Sequence, residues 1–65
     1  MIKINGENVE NTKGKNVAQY LTENGYDIKR VAVELNGDIL PKSQYEYTLL
    51  QEGDCVEIVS FVGGG

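Results

Sequence analysis

Histidine and tryptophan are absent from this chain, and cysteine, proline, methionine and phenylalanine occur once each. The lack of histidine removes the commonest general base, the commonest metal ligand and every Ser-His or Cys-His nucleophile arrangement. That argues against a stand-alone enzyme and against a metal site. A single cysteine excludes an internal disulfide framework, and a small chain without such staples fits a reducing, cytoplasmic setting. Positive charge is scarce: six Lys and Arg stand against ten Asp and Glu, a formal net charge of −4, with no basic run anywhere. A phosphate-backbone binder needs the opposite balance, so nucleic acid is not the expected partner. No apolar stretch approaches membrane-spanning length and the N-terminus lacks a signal-peptide pattern, so no membrane is expected either.

What remains is one small domain of 65 residues and 7.2 kDa. A chain of this size buries only about 60% of the surface that its unfolded form exposes, and a net stability on the order of 3–10 kcal/mol is expected. With 40% hydrophobic and 25% charged residues it reads as globular. There is little material here for a deep active site.

Met1 to Asn5 alternates with period two, as a half-buried strand does, and Asn5-Gly6 is a tight-turn signal. Glu7 to Asn11, with Val9 as its one apolar anchor, predicts a weak edge strand whose charges keep it soluble. Asn16 and Gln19 have the spacing of a capping box, and Val17, Tyr20 and Leu21 then form an i, i+3, i+4 stripe. Gly25 falls where a left-handed C′ residue is wanted, with Tyr26 able to pack back on Leu21. These signals predict a helix of two turns, too short to hold without packing on a sheet. Arg30 to Leu35 alternates again, Asn36-Gly37 turns the chain into Ile39-Leu40, and Pro41 ends that ladder. Lys42 to Thr48 is read as a turn or a single 3₁₀ winding. Leu49-Leu50 should return to the core, Glu52-Gly53-Asp54 should turn, and Cys55 to Val62 is the longest β-like run. Strand, strand, helix, strand, short strand, strand is an α+β pattern. Its compact solution is a mixed sheet of four to five strands packed against one short helix, the β-grasp arrangement, over residues 1–62. The expected core is Ile2, Ile4, Val31, Val33, Leu35, Val56 and Ile58 against Val17 and Leu21.

The ordinary candidates for chemistry are weak. No His, Lys or Arg adjoins Cys55 in sequence to activate it, so it reads as an inert strand thiol. The acidic residues are scattered, and Glu52 and Asp54 lack the spacing of an EF-hand loop, so they read as solvated turn residues. Tyr20 is explained by the helix stripe, and the negative charge argues against a base-stacking surface for the other tyrosines.

Gly63, Gly64 and Gly65 are different. A glycine tail adds nothing to a core and loses the most entropy on ordering, so residues 63–65 are expected to be flexible. Such a terminus suits insertion into a narrow channel, where it would deliver the α-carboxylate of Gly65, ionised at pH 7. A carboxylate can attack the α-phosphate of ATP to give an acyl-adenylate that is open to sulfur, nitrogen or oxygen nucleophiles.

The run Glu52-Gly53-Asp54-Cys55-Val56-Glu57-Ile58-Val59-Ser60-Phe61-Val62-Gly63-Gly64-Gly65 resembles the C-terminal signature of the thiamine-biosynthesis sulfur carriers, the ThiS family. That signature is a Gly-Asp turn, an alternating apolar strand and a terminal Gly-Gly. Val33-Glu34-Leu35-Asn36-Gly37-Asp38-Ile39-Leu40-Pro41-Lys42 resembles the middle section of the same family. The resemblance covers essentially the whole chain and implies a ubiquitin-like β-grasp fold. It further implies that Gly65 is adenylated by an E1-like adenylyltransferase, which consumes ATP, and is converted to a thiocarboxylate with sulfur from a cysteine desulfurase. The sulfur then goes to thiazole synthase; no bound cofactor is implied. Gly63 is a minor departure, since other members often carry a small residue such as Ala there. The small subunit of molybdopterin synthase shares fold and chemistry, but tends to carry prolines before its Gly-Gly, which Phe61-Val62 lacks. The same residues also fit a ubiquitin-like protein modifier that uses this terminus, or a plain β-grasp binding module.

If Val56 and Ile58 face the core, alternation puts Glu57, Val59 and Phe61 on the opposite face. Val59, Phe61 and Val62 are therefore the expected partner-binding residues, with Gly63 and Gly64 threading and Gly65 reacting. The magnitudes fit: ordering the three glycines costs roughly 3–6 kcal/mol, and burying Val59 and Phe61 against a partner returns about 1.5–3 kcal/mol each.

Overall fold

The computed structural model describes residues 1–61. Strand β1 (Ile2–Ile4) pairs antiparallel with β2 (Glu7–Val9), Ile2 opposite Val9 and Ile4 opposite Glu7. Asn5 and Gly6 join them with φ of 51° and 82°. Positive φ at both positions gives the turn whose twist matches that of the paired strands.

The helix α1 (Val17–Glu23) is closed at both ends by the bonds its sequence prescribes. The Gln19 amide donates to Asn16 Oδ1 at 2.7 Å and the Asn16 amide to Gln19 Oε1 at 3.4 Å. At the other end Gly25, at φ 80°, donates to the Thr22 carbonyl, and Tyr26 donates to the Leu21 carbonyl at 2.9 Å. This pair of bonds satisfies carbonyls that the helix would otherwise leave free. Seven residues cannot sustain a helix alone, so α1 depends on burying Val17 and Leu21.

Strands β3 (Val31–Leu35), β4 (Asp38–Leu40) and β5 (Cys55–Ser60) complete a sheet in the order β2-β1-β5-β3-β4. The last strand therefore lies at the centre, parallel to β1 and antiparallel to β3. One helix packed on one face of this mixed five-stranded sheet is the ubiquitin-like β-grasp fold. Its core contains Ile2, Ile4, Val31, Val33, Val56 and Ile58 from the sheet with Val17 and Leu21 from the helix, all buried. No helix among the described residues is long and apolar enough to cross a membrane.

Several expectations need correction. Leu35 is half-buried at the end of β3 and only borders the core. Leu50 is buried but Leu49 is exposed, because Leu49 sits in an extended bridge to Asn16 that sends neighbouring side chains opposite ways. Lys42–Tyr47 forms six residues of 3₁₀ helix, longer than a single winding. It is held by burial of Tyr45 and by Lys42 Nζ, which donates to the carbonyls of Ile28 and Val31. Ile28–Arg30 is a second 3₁₀ turn, capped by Asp27, so β3 begins one residue later than expected. Strand β5 ends at Ser60, although the Phe61 amide still donates to the Arg30 carbonyl at 2.7 Å.

Two outcomes follow from this core. Leu21→Ala should lower stability by about 2–5 kcal/mol in urea denaturation, since Leu21 has no exposed surface and leaves a cavity. Burial raises the phenol pKa of Tyr45, opposed by the Val33 backbone. Burial also raises that of Tyr20, helped by Tyr26 and opposed by Lys15. The unfolded chain ionises these phenols at about pH 10 while the folded chain keeps their protons. Their contribution is thus complete below that pH and is lost as pH rises past it. Tyr45→Phe should flatten that alkaline loss in denaturation midpoints followed from pH 8 to 11.

Candidate functional site

Strand β5 carries the candidate site toward the C-terminus, and alternation divides its side chains cleanly. Val56 and Ile58 point into the core, while Cys55, Glu57 and Val59 are exposed on the face away from α1. Val59 is 55% exposed and Phe61 62% exposed. On that outer face Val59 stands opposite Ala32, and Ile39 stands beyond Glu34 on β4. Exposed apolar side chains grouped at one end of a sheet are a feature of interaction surfaces.

The strand is fixed by two asparagine side chains, at positions where the sequence signals only turns. Asn5 Oδ1 accepts from the Ile58 amide at 2.7 Å, and Asn5 Nδ2 donates to the Ile58 carbonyl at 3.2 Å. On the other flank Asn36 Oδ1 accepts from the Cys55 amide at 2.9 Å, Asn36 Nδ2 donates to Asp54 Oδ1 at 3.0 Å, and the Asn36 amide donates to the Cys55 carbonyl. Each primary amide offers one acceptor and two donors, so it continues a strand ladder past the point where its own backbone turns away. Aspartate would keep the acceptor and lose the donor. Both residues adopt positive φ, 51° and 52°, a region that asparagine tolerates better than most side chains. The signal was available: the same Asn-Gly dipeptide ends both strands that flank β5.

The remaining sequence-predicted residues divide as follows. Val59 and Phe61 lie near each other along β5 and its continuation, both exposed. Val62, Gly63, Gly64 and Gly65 lie outside the described residues. Cys55 is a free, exposed thiol opposite Lys3 of β1. Glu52 pairs with the N-terminal ammonium, and Asp54 accepts from the Gln51 amide and Asn36, so both serve the turn. Among the described residues no group of His, Cys, Asp and Glu could hold a metal ion. Two open grooves border the connection from β2 to α1, and neither is lined by any residue of β5.

The fold and the central position of β5 define a ubiquitin-like β-grasp domain. The model of the ThiS family matches residues 2–65, and the chain belongs to that family. It is 39% identical to the sulfur carrier protein ThiS of Bacillus subtilis, with full coverage of both chains. It is also 45% identical over 62 residues to a thiazole synthase of Paramagnetospirillum magneticum. That match takes in 95% of this chain, which spans only 19% of that protein. The crystal structure of a thiamine biosynthesis protein (ThiS) from Geobacter metallireducens superposes with a TM-score of 0.77 at 33% identity, covering 98% of this chain and 97% of that one.

Asn5→Gly keeps the turn and removes only the side-chain amide. Hydrogen exchange at the Ile58 amide should accelerate by about thirtyfold, as expected for the loss of two bonds at roughly 1 kcal/mol each. An unchanged Ile58 rate would mean that the asparagine does not secure β5.

Proposed function

We propose that this chain is a sulfur carrier for thiamine biosynthesis that works through the α-carboxylate of Gly65. An oxygen of that carboxylate attacks the α-phosphorus of ATP on an E1-like adenylyltransferase, and pyrophosphate leaves. The outer sulfur of a persulfide formed by a cysteine desulfurase then attacks the acyl carbon and AMP leaves. A thiol next attacks the donor cysteine's sulfur in the resulting acyl disulfide, forming a disulfide with that cysteine and releasing the thiocarboxylate. The thiocarboxylate sulfur is delivered to thiazole synthase in the cytoplasm. The chain itself is the protein substrate of these partners and holds no cofactor.

The observation that carries this reading is the family match, which runs through residue 65 and so includes all three terminal glycines. Glycine is the residue type this chemistry asks for, because it has no Cβ to block a close approach to a nucleotide. The partnership with thiazole synthase is supported by the relative of that name, in which a segment similar to this whole domain makes up 19% of one polypeptide. The exposed Val59 and Phe61 supply the apolar contact that a partner would bury while the glycines thread its channel.

Incubation with ATP, sulfide and the adenylating enzyme should add the oxygen-to-sulfur mass shift to the intact chain. Removing Gly65, or adding one residue after it, should abolish both that shift and ATP–pyrophosphate exchange at every enzyme concentration. A larger conjugate in place of the shift would point to a protein modifier, and neither product to a simple binding module. Activity of the extended chain without trimming would overturn Gly65 as the reacting residue.

A further inference from the structure

Three asparagines are followed directly by glycine: Asn5, Asn24 and Asn36. That dipeptide is the one most open to spontaneous deamidation, because glycine has no side chain to hinder ring closure. The glycine backbone nitrogen, deprotonated by hydroxide, attacks Cγ of the asparagine. The Cγ–Nδ2 bond breaks, the nitrogen takes a proton from water and leaves as ammonia, and a five-membered succinimide remains. Water then opens the ring at one of its two carbonyls, giving aspartate or isoaspartate. Either product carries a carboxylate where the amide stood.

The fold treats the three sites differently. Ring closure requires the side chain to swing until Cγ meets the next backbone nitrogen. At Asn5 both ends of the amide are held on β5, Oδ1 by the Ile58 amide at 2.7 Å and Nδ2 by the Ile58 carbonyl at 3.2 Å. At Asn36 the Cys55 amide holds Oδ1 at 2.9 Å and Asp54 Oδ1 holds Nδ2 at 3.0 Å. Both backbones are fixed in tight turns at φ 51° and 52°. Asn24 is exposed at the C-cap of the seven-residue helix, with φ −101°. Among the described residues its side chain makes one bond, from Nδ2 to the Tyr20 carbonyl at 2.9 Å. The Gly25 amide is also bonded, but at 3.2 Å and in the turn where a helix frays. We propose that Asn5 and Asn36 are deamidation sites guarded by the docked β5, whereas Asn24 deamidates while the chain is folded. The guarded pair then acts as a one-way latch. Aspartate at either position keeps the acceptor and loses the donor. Its second oxygen faces the Ile58 carbonyl at position 5 and the Asp54 carboxylate at position 36, a repulsion in both places. A release of β5 that outlasts the reaction is thus recorded chemically, and the strand cannot be latched again.

The test holds the full chain in mildly alkaline buffer, with and without urea, and follows each asparagine by peptide mapping with mass spectrometry. In buffer Asn24 should convert first, and Asn5 and Asn36 at least about a hundredfold more slowly than they do in urea. In urea the three rates should converge, since every site then has a glycine successor and no fixed contacts. Asn24 should gain less than about tenfold from the denaturant. Thermal melts of Asn5→Asp and Asn36→Asp supply the second measurement. Both should melt below wild type at neutral pH. The carbonyl facing the new carboxyl in Asn5→Asp raises its pKa in the folded chain, so the gap to wild type should narrow as pH falls. The recovery should be complete below about pH 4, where the protonated carboxyl donates to the Ile58 carbonyl again. Equal rates at the three sites in buffer, or conversion of Asn5 or Asn36 ahead of Asn24, overturns the proposal. So does a urea arm in which the guarded sites stay slow, or wild-type melting of either aspartate variant.

Discussion

The structure depends on the central strand being held along its length from both sides. Strand β5 pairs with β1 and β3 through backbone ladders, but β1 is only three residues long and cannot cover a six-residue neighbour. Asn5 extends that short ladder to Ile58, and Asn36 closes the start of β5 on the other side. Buried backbone groups left unpaired cost more than a formed bond contributes. Two amide side chains thus let short hairpins flank a long strand, and the core residues Val56 and Ile58 are positioned as a result.

Much of this was legible in the sequence because it is written locally. The capping box at Asn16 and Gln19, the left-handed Gly25, both Asn-Gly turns and the period of β3 and β5 each fix a few adjacent dihedrals. What escaped depends on contacts between distant residues. Tyr45 is buried because the 3₁₀ segment Lys42–Tyr47 is anchored by Lys42 on carbonyls more than ten positions earlier. Leu49 and Leu50 look alike in sequence, and only the bridge to Asn16 separates them. The asparagine latches escaped for the same reason, since their partners lie on a strand that follows much later.

The candidate site was legible in a different manner. Alternation points Val59 and Phe61 to the outer face; Val59 is exposed there opposite Ala32, and Phe61, just past the end of β5, is exposed as well. That Glu57 faces Glu34 was not legible, because a register between β3 and β5 is a long-range fact. That register joins an apolar end and an acidic centre on one surface, which a flat reading of net charge spreads evenly over the molecule.

Parallel pairing of β1 with β5 places Lys3 beside Cys55 and Ile4 beside Val56, so the opening and closing stretches of the chain are neighbours in the sheet. On a ribosome, then, the hairpin of β1 and β2, the helix and the hairpin of β3 and β4 all emerge before the strand that joins them. Without β5 the two hairpins share no ladder and the core lacks Val56 and Ile58. Long-range pairing of this kind is slow to nucleate and rewards the chain only when complete. Folding therefore waits on synthesis through residue 60, and a prematurely terminated chain lacking β5 would offer no settled surface for a partner to read.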